Sequence, residues 1–213
     1  MSVIGHPVVV SSASPSGQSS RDRRLDGIRA LIALVGIMWV VQVVNSLDHY
    51  DFSRDDGIVP RSLSGLKGVV FSPFLHASWP HLIDNTIPFV ILGLIIALAG
   101  AWRLLAVTAI IALVAGLGTW LISPSNSDTV GASGVVFGYA TYLVARGFFN
   151  RNALEVGVGL VVGLLFGASL LASIVPHAGI SWQDHVFGAI GGLVAARVLT
   201  PQRETTPRLP AAT

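Results

Sequence analysis

Cysteine is absent from the 213 residues, which excludes disulfides, thiolate zinc sites and cysteine nucleophiles. Charge is scarce: Asp, Glu, Lys and Arg together make up 11%, against about 25% in soluble domains. So few charges cannot clothe a globule of this size in water. With 52% hydrophobic residues, the composition argues against an ordinary soluble enzyme and excludes a disordered chain. Net charge is only +2, so no nucleic-acid partner is expected and the basic residues read as orientation signals. Residues 1–20 have neither a basic start nor an adequate apolar core, so they do not read as a secretory signal.

What is present is glycine, 23 residues of it, in a chain of mean hydropathy +0.70. Long apolar runs with many small residues point to membrane helices packed closely in a lipid bilayer. Six such segments are read at residues 30–47, 82–100, 104–122, 133–145, 156–175 and 185–199. A full crossing takes about 20 helical residues, so the fourth and sixth are short. The expected organisation is an unstructured leader over 1–26, an all-α membrane domain of six transmembrane helices over 27–199, and an unstructured tail over 200–213.

Basic residues orient the bundle. Arg54, Arg61 and Lys67 lie in the long first loop, and the other ten Lys and Arg residues fall at the opposite ends of the spans. The positive-inside rule then places both termini in the cytoplasm of a multi-pass cell-membrane protein. Loops 48–80, 123–132 and 176–184 face the extracytoplasmic side.

Polar groups inside a membrane are costly and mark function. Three clusters lie near the extracytoplasmic ends of their spans. In the first, His81 and Asn85 are four apart and share a helix face. They either join neighbouring helices or donate hydrogen bonds to a reacting oxygen; His76 precedes Pro80 and belongs to the loop. In the second, Gly131-Ala132-Ser133-Gly134 opens the fourth segment. Ser133 can cap that helix or serve as a nucleophile beside helix-terminal N–H groups suited to an oxyanion. In the third, His185, Gly188 and Gly192 form one stripe of the sixth segment. Gly134 and Gly138 offer a matching small-residue seam on the fourth, which would set Ser133 and His185 at like depth on adjacent helices. A serine needs a base to take its proton, and histidine suits that task.

These residues, in this order and spacing, resemble the rhomboid family of intramembrane serine proteases over roughly residues 30–199. The resemblance implies a six-helix core and a Ser–His dyad without an acidic third member, with Ser133 as nucleophile and His185 as general base. It also implies oxyanion stabilisation by the Ser133 backbone N–H and the His81 and Asn85 side chains. His76 matches the family's more structural loop histidine. Phe137 stands where many members have a tyrosine near the catalytic histidine, and the Trp-Arg pair often found in the first loop has no match, although Pro60-Arg61 occupies that loop. The substrates implied are transmembrane proteins.

Asp184 adjoins His185, but neighbouring helix positions diverge by about 100°, so it is expected to cap the sixth helix or face an aqueous vestibule. Asp84 projects away from the His81/Asn85 stripe. No cofactor or metal is called for: HExxH is absent, as is any histidine pair at i, i+4. Two other readings compete, a non-cleaving rhomboid-like binder of transmembrane clients and a small proton-coupled transporter using His81, Asp84 and His185.

Overall fold

The computed structural model describes residues 19–175 and 179–200. Residues 1–18, most of the expected leader, and 201–213, nearly all of the tail, lie outside them. The described chain is helical throughout: α1 (Ser20–Leu47), α2 (Asp51–Asp55), α3 (Gly68–Phe71), α4 (Trp79–Ala97), α5 (Ala101–Ile122), α6 (Ser133–Asn150), α7 (Ala153–Ala172) and α8 (Trp182–Val198). Each of the six apolar segments falls on one of the six long helices, although α7 ends at Ala172 rather than 175. Among the described residues α1, α4 and α5 are long and apolar enough to cross a membrane.

Local chemistry sets the helix limits. Ser19, Ser78 and Ser181 stand at the starts of α1, α4 and α8, and each side chain accepts a first-turn backbone N–H, the group a helix leaves without an internal partner. Ser19 explains why α1 begins well inside the segment expected to be unstructured. The fourth helix also outruns its expected end at residue 145. Arg146 pairs with Glu155 of α7 at 2.7 Å and lies over the Tyr142 ring, so its charge is satisfied without ending the helix. Arg151, in the left-handed region at φ 50°, terminates it.

The most enclosed element is α6, which packs against α8, α7, α4 and α5. Large apolar side chains such as Leu164 (83% exposed) and Trp102 (79%) point outward, the distribution expected where lipid replaces water. Buried glycines set the closest approach between α6 and α8: a Cβ on Gly188 would strike the Gly134 carbonyl oxygen, and one on Gly192 the Gly138 carbonyl oxygen. This is the small-residue seam expected from the sequence.

The first loop is folded and holds the start of α6 in place. Asn45 of α1 donates to the Ser53 hydroxyl at 2.7 Å and to the His76 carbonyl at 3.1 Å. Ile58 and Thr129 exchange backbone hydrogen bonds at 2.9 and 3.2 Å, and the Gly131 N–H donates to the Ser72 carbonyl at 2.9 Å. Arg61 donates to the Leu121 and Ser123 carbonyls, at 3.0 and 2.7 Å, and to the Ser125 hydroxyl at 2.6 Å. Its own N–H meets the Trp120 carbonyl at 3.0 Å, while the Trp120 indole donates to the Ser62 carbonyl at 2.8 Å. Arg61 and Trp120 thus tie the first loop to the end of α5.

Candidate active site

The three polar clusters converge. Ser133 is the first residue of α6, half-buried, and the helix is preceded by Ala132 with no side-chain cap. The capping role open to Ser133 in the sequence is therefore not the one it takes. One turn further, the Phe137 ring stacks on the His185 imidazole with centroids 4.1 Å apart and planes within 7°. His185 lies in the first turn of α8, 6% exposed, and its Nδ1 is 2.9 Å from the carbonyl oxygen of Ser173, just past α7. A carbonyl only accepts, so Nδ1 carries the proton and Nε2 the lone pair.

On the other side of Ser133, Gly131 has φ +121°, a conformation only glycine takes at ease. A Cβ built there would lie 2.8 Å from His81 Nε2 and 3.3 Å from Asn85 Nδ2. Glycine leaves that volume open to the two donors of α4. The Asn85 amide nitrogen is buried and, among the described residues, has no hydrogen-bond partner. A buried donor left unpaired is costly, which favours an oxygen arriving from outside. His81 in turn meets His76 edge-on, ring centroids 5.1 Å apart. His76 is fully buried in the loop, where burial first and His81 second hold its imidazole down at about 3. It supports His81 as a neutral packing group.

Asp184 departs from expectation. The side-chain cap of α8 is Ser181, and Asp184 faces no vestibule: it is 6% exposed. Its carboxylate presses on Gly134, leaving no room for a Cβ, and lies beside the Gly134 N–H and the Thr119 and Ser133 hydroxyls. Asp184 and His185 diverge on α8, and what sequence could not show is that α6 fills the direction Asp184 takes. Asp84 is exposed, as expected. Among the described residues no hydrogen bond joins the Ser133 hydroxyl to His185. No cluster of His, Cys, Asp and Glu able to hold a metal occurs among them either.

A Rhomboid domain pattern matches residues 64–202, taking in every element of this site. The chain belongs to the rhomboid family. It is 39% identical over 203 residues to an uncharacterized protein of Mycobacterium tuberculosis, covering 90% of this chain and 83% of that one. It is 29% identical over 132 residues to the putative rhomboid protease YdcA of Bacillus subtilis, covering 61% and 65%. To the chloroplastic rhomboid-like protein 11 of Arabidopsis thaliana it is 32% identical over 191 residues, covering 78% and 65%. In this rhomboid the site lies where the folded first loop, the loop before α6 and the starts of α4, α6 and α8 meet. Sequence reasoning missed two members, the Ser173 carbonyl and the Asp184 contact. A backbone carbonyl carries no residue-type signal, and the second depends on which helix lies across from Asp184.

Proposed function

We propose that this rhomboid is an intramembrane serine endopeptidase that cuts peptide bonds in or beside the transmembrane segments of other membrane proteins. The six long helices all cross the bilayer, both termini are cytoplasmic, and the site opens to the extracytoplasmic side, as the distribution of basic residues favours. The observation that carries the reading is the meeting of a half-buried serine, an oriented imidazole and the unpaired Asn85 amide at the start of one helix.

The chemistry follows from these positions. Nε2 of His185 takes the Ser133 proton as Oγ bonds to the substrate carbonyl carbon, and the carbonyl π electrons move onto oxygen. That oxyanion enters the space left by Gly131, facing His81 and Asn85, with the first-turn N–H of Ser133 as a third donor. The C–N bond then breaks as Nε2 returns the proton to the departing amine. Water, deprotonated by the same nitrogen, hydrolyses the acyl-enzyme. Substrate helices must unwind to present a carbonyl, so cuts near glycine or other helix-weakening residues are expected. In the resting arrangement the Ser133 hydroxyl lies beside Asp184, and substrate arrival must turn it toward His185.

That resting position also favours the second reading, a client binder that does not cut. Reconstitution with single-span proteins and mass-spectrometric mapping of product ends separates the two. A protease loses cleavage with Ser133→Ala yet keeps binding substrate, and loses labelling by a serine-directed fluorophosphonate. Absence of any product from the wild type, or labelling that survives in Ser133→Ala, overturns the protease reading.

A further inference from the structure

A serine protease needs something to hold its histidine. In the soluble triad a carboxylate accepts the Nδ1 proton, fixes the tautomer and steadies the imidazolium that forms. Here the adjacent carboxylate is engaged elsewhere, with Asp184 pressed on Gly134 of α6. The groups in contact with His185 are the uncharged Phe137 face from α6 and the Ser173 carbonyl, and the His81 imidazole of α4 is near enough to act on its charge. Stacking on Phe137 fixes the plane of the ring but cannot choose between its two edges. The carbonyl makes that choice.

We propose that the Ser173 carbonyl is the positioning group of the catalytic base, filling the place a carboxylate holds in soluble triads. This deepens the protease reading and rests on it. At 2.9 Å from Nδ1, the carbonyl keeps that nitrogen protonated and leaves Nε2 free to accept the Ser133 proton. Ser173 directly follows Ala172, the last residue of α7, so it sits at the negative end of a helix dipole. Carbonyls there carry about half a unit of negative charge between them and favour a nearby imidazolium. A neutral group thus supplies part of what a carboxylate would, without the cost of burying an anion beside the imidazole.

The arrangement also couples the base to α7. That helix packs on α6, and the Ser173 carbonyl extends its influence to α8. His185 is aligned while the end of α7 stays docked, and loses its partner when that end moves away.

A backbone ester tests this in the full-length protein in detergent or liposomes. Incorporating the α-hydroxy analogue of isoleucine in place of Ile174 converts the Ser173 carbonyl to an ester carbonyl, a weaker acceptor. It also deletes the Ile174 N–H bond to Leu171. The same change at Val175 deletes the matching bond to Ala172 but leaves the Ser173 carbonyl an amide. The ester at 174 is expected to lower kcat about tenfold with KM little changed, and to move the acid limb of the kcat–pH profile down by about half a unit. The ester at 175 is expected to do neither. Equal losses from both esters, or an unmoved acid limb at 174, overturn the proposal. Should the ester at 174 not fold, 15N NMR of histidine-labelled wild type decides: a neutral His185 protonated on Nδ1 supports the proposal, and one protonated on Nε2 overturns it. A wild type that cleaves nothing would fail the protease reading itself, an outcome separate from these.

Discussion

Phe137 lies flat on His185, ring centroids 4.1 Å apart and planes within 7°, so the helix that opens with Ser133 supplies the surface against which the His185 imidazole rests. The hydroxyl lost relative to the tyrosine common in the family is not part of that contact. Phe137→Tyr is therefore expected to keep activity within about twofold. Phe137→Ala removes a stacked pair worth about 0.5–1.5 kcal/mol and is expected to lower kcat roughly three- to tenfold with KM little changed. Steady-state kinetics on one reconstituted substrate checks both.

The α6–α8 seam is set by glycine. A Cβ at Gly188 would collide with the Gly134 carbonyl oxygen, and backbone cannot step aside as a flexible side chain can. Gly188→Ala is expected to destabilise the fold by about 1–3 kcal/mol, the range for overpacking, and to lower activity by moving α8 off Ser133. Gly36 of α1 has nothing within 4 Å of its missing Cβ, so Gly36→Ala should leave stability unchanged or slightly raised. Denaturant titration followed by tryptophan fluorescence distinguishes the two variants.

Arg61 ties the first loop to the end of α5 and the loop that leads to Ser133. Arg61→Ala removes three hydrogen bonds from a cationic donor. The expected cost is about 2 kcal/mol, since such bonds are worth roughly 1.5–3 kcal/mol each when buried and less at a solvent-facing site. Arg61→Lys cannot reach all three acceptors from one ammonium and should recover only part of the loss. Thermal unfolding measures the stability term, and cleavage should fall in parallel because Gly131 and Ser133 follow that loop.

His76 makes stability depend on pH. Folded, its imidazole is held down at about 3, mainly by burial; its ordinary value is 6.5. Between those values the unfolded chain binds a proton that the folded one does not. Stability is therefore full above about pH 6.5 and falls with decreasing pH toward 3, by at most about 1.4 kcal/mol per pH unit. Asp128 acts in the opposite sense: partial burial raises its carboxyl from 3.8 to about 6, so its contribution is lost as pH rises through that window. Its residue stays exposed, and the His76 slope should dominate. Unfolding midpoints measured from neutral to mildly acidic pH should fall in the wild type and flatten in His76→Gln.

Much of the molecule is legible in the residues alone because a bilayer is an unforgiving solvent. Long apolar runs declare the six helices, and polar groups stand out against them, so Ser133, His185, His81 and Asn85 could be named before their geometry was known. Helix ends were harder. Sequence marks Arg146 as a stop, and only the pairing with Glu155 of α7 lets α6 run on to Asn150.

Relations between helices were beyond reach for the same reason. That Asp184 turns to Gly134 rather than to water, that Arg61 meets carbonyls at the end of α5, and that a carbonyl past α7 holds His185 all depend on which backbone lies opposite. Residue types determined the chemistry this rhomboid carries, because each polar group in lipid needs a reason to be there. The tertiary structure decided which partner each group meets, because a partner supplied by a distant helix, or by a carbonyl every residue possesses, leaves no mark in local sequence.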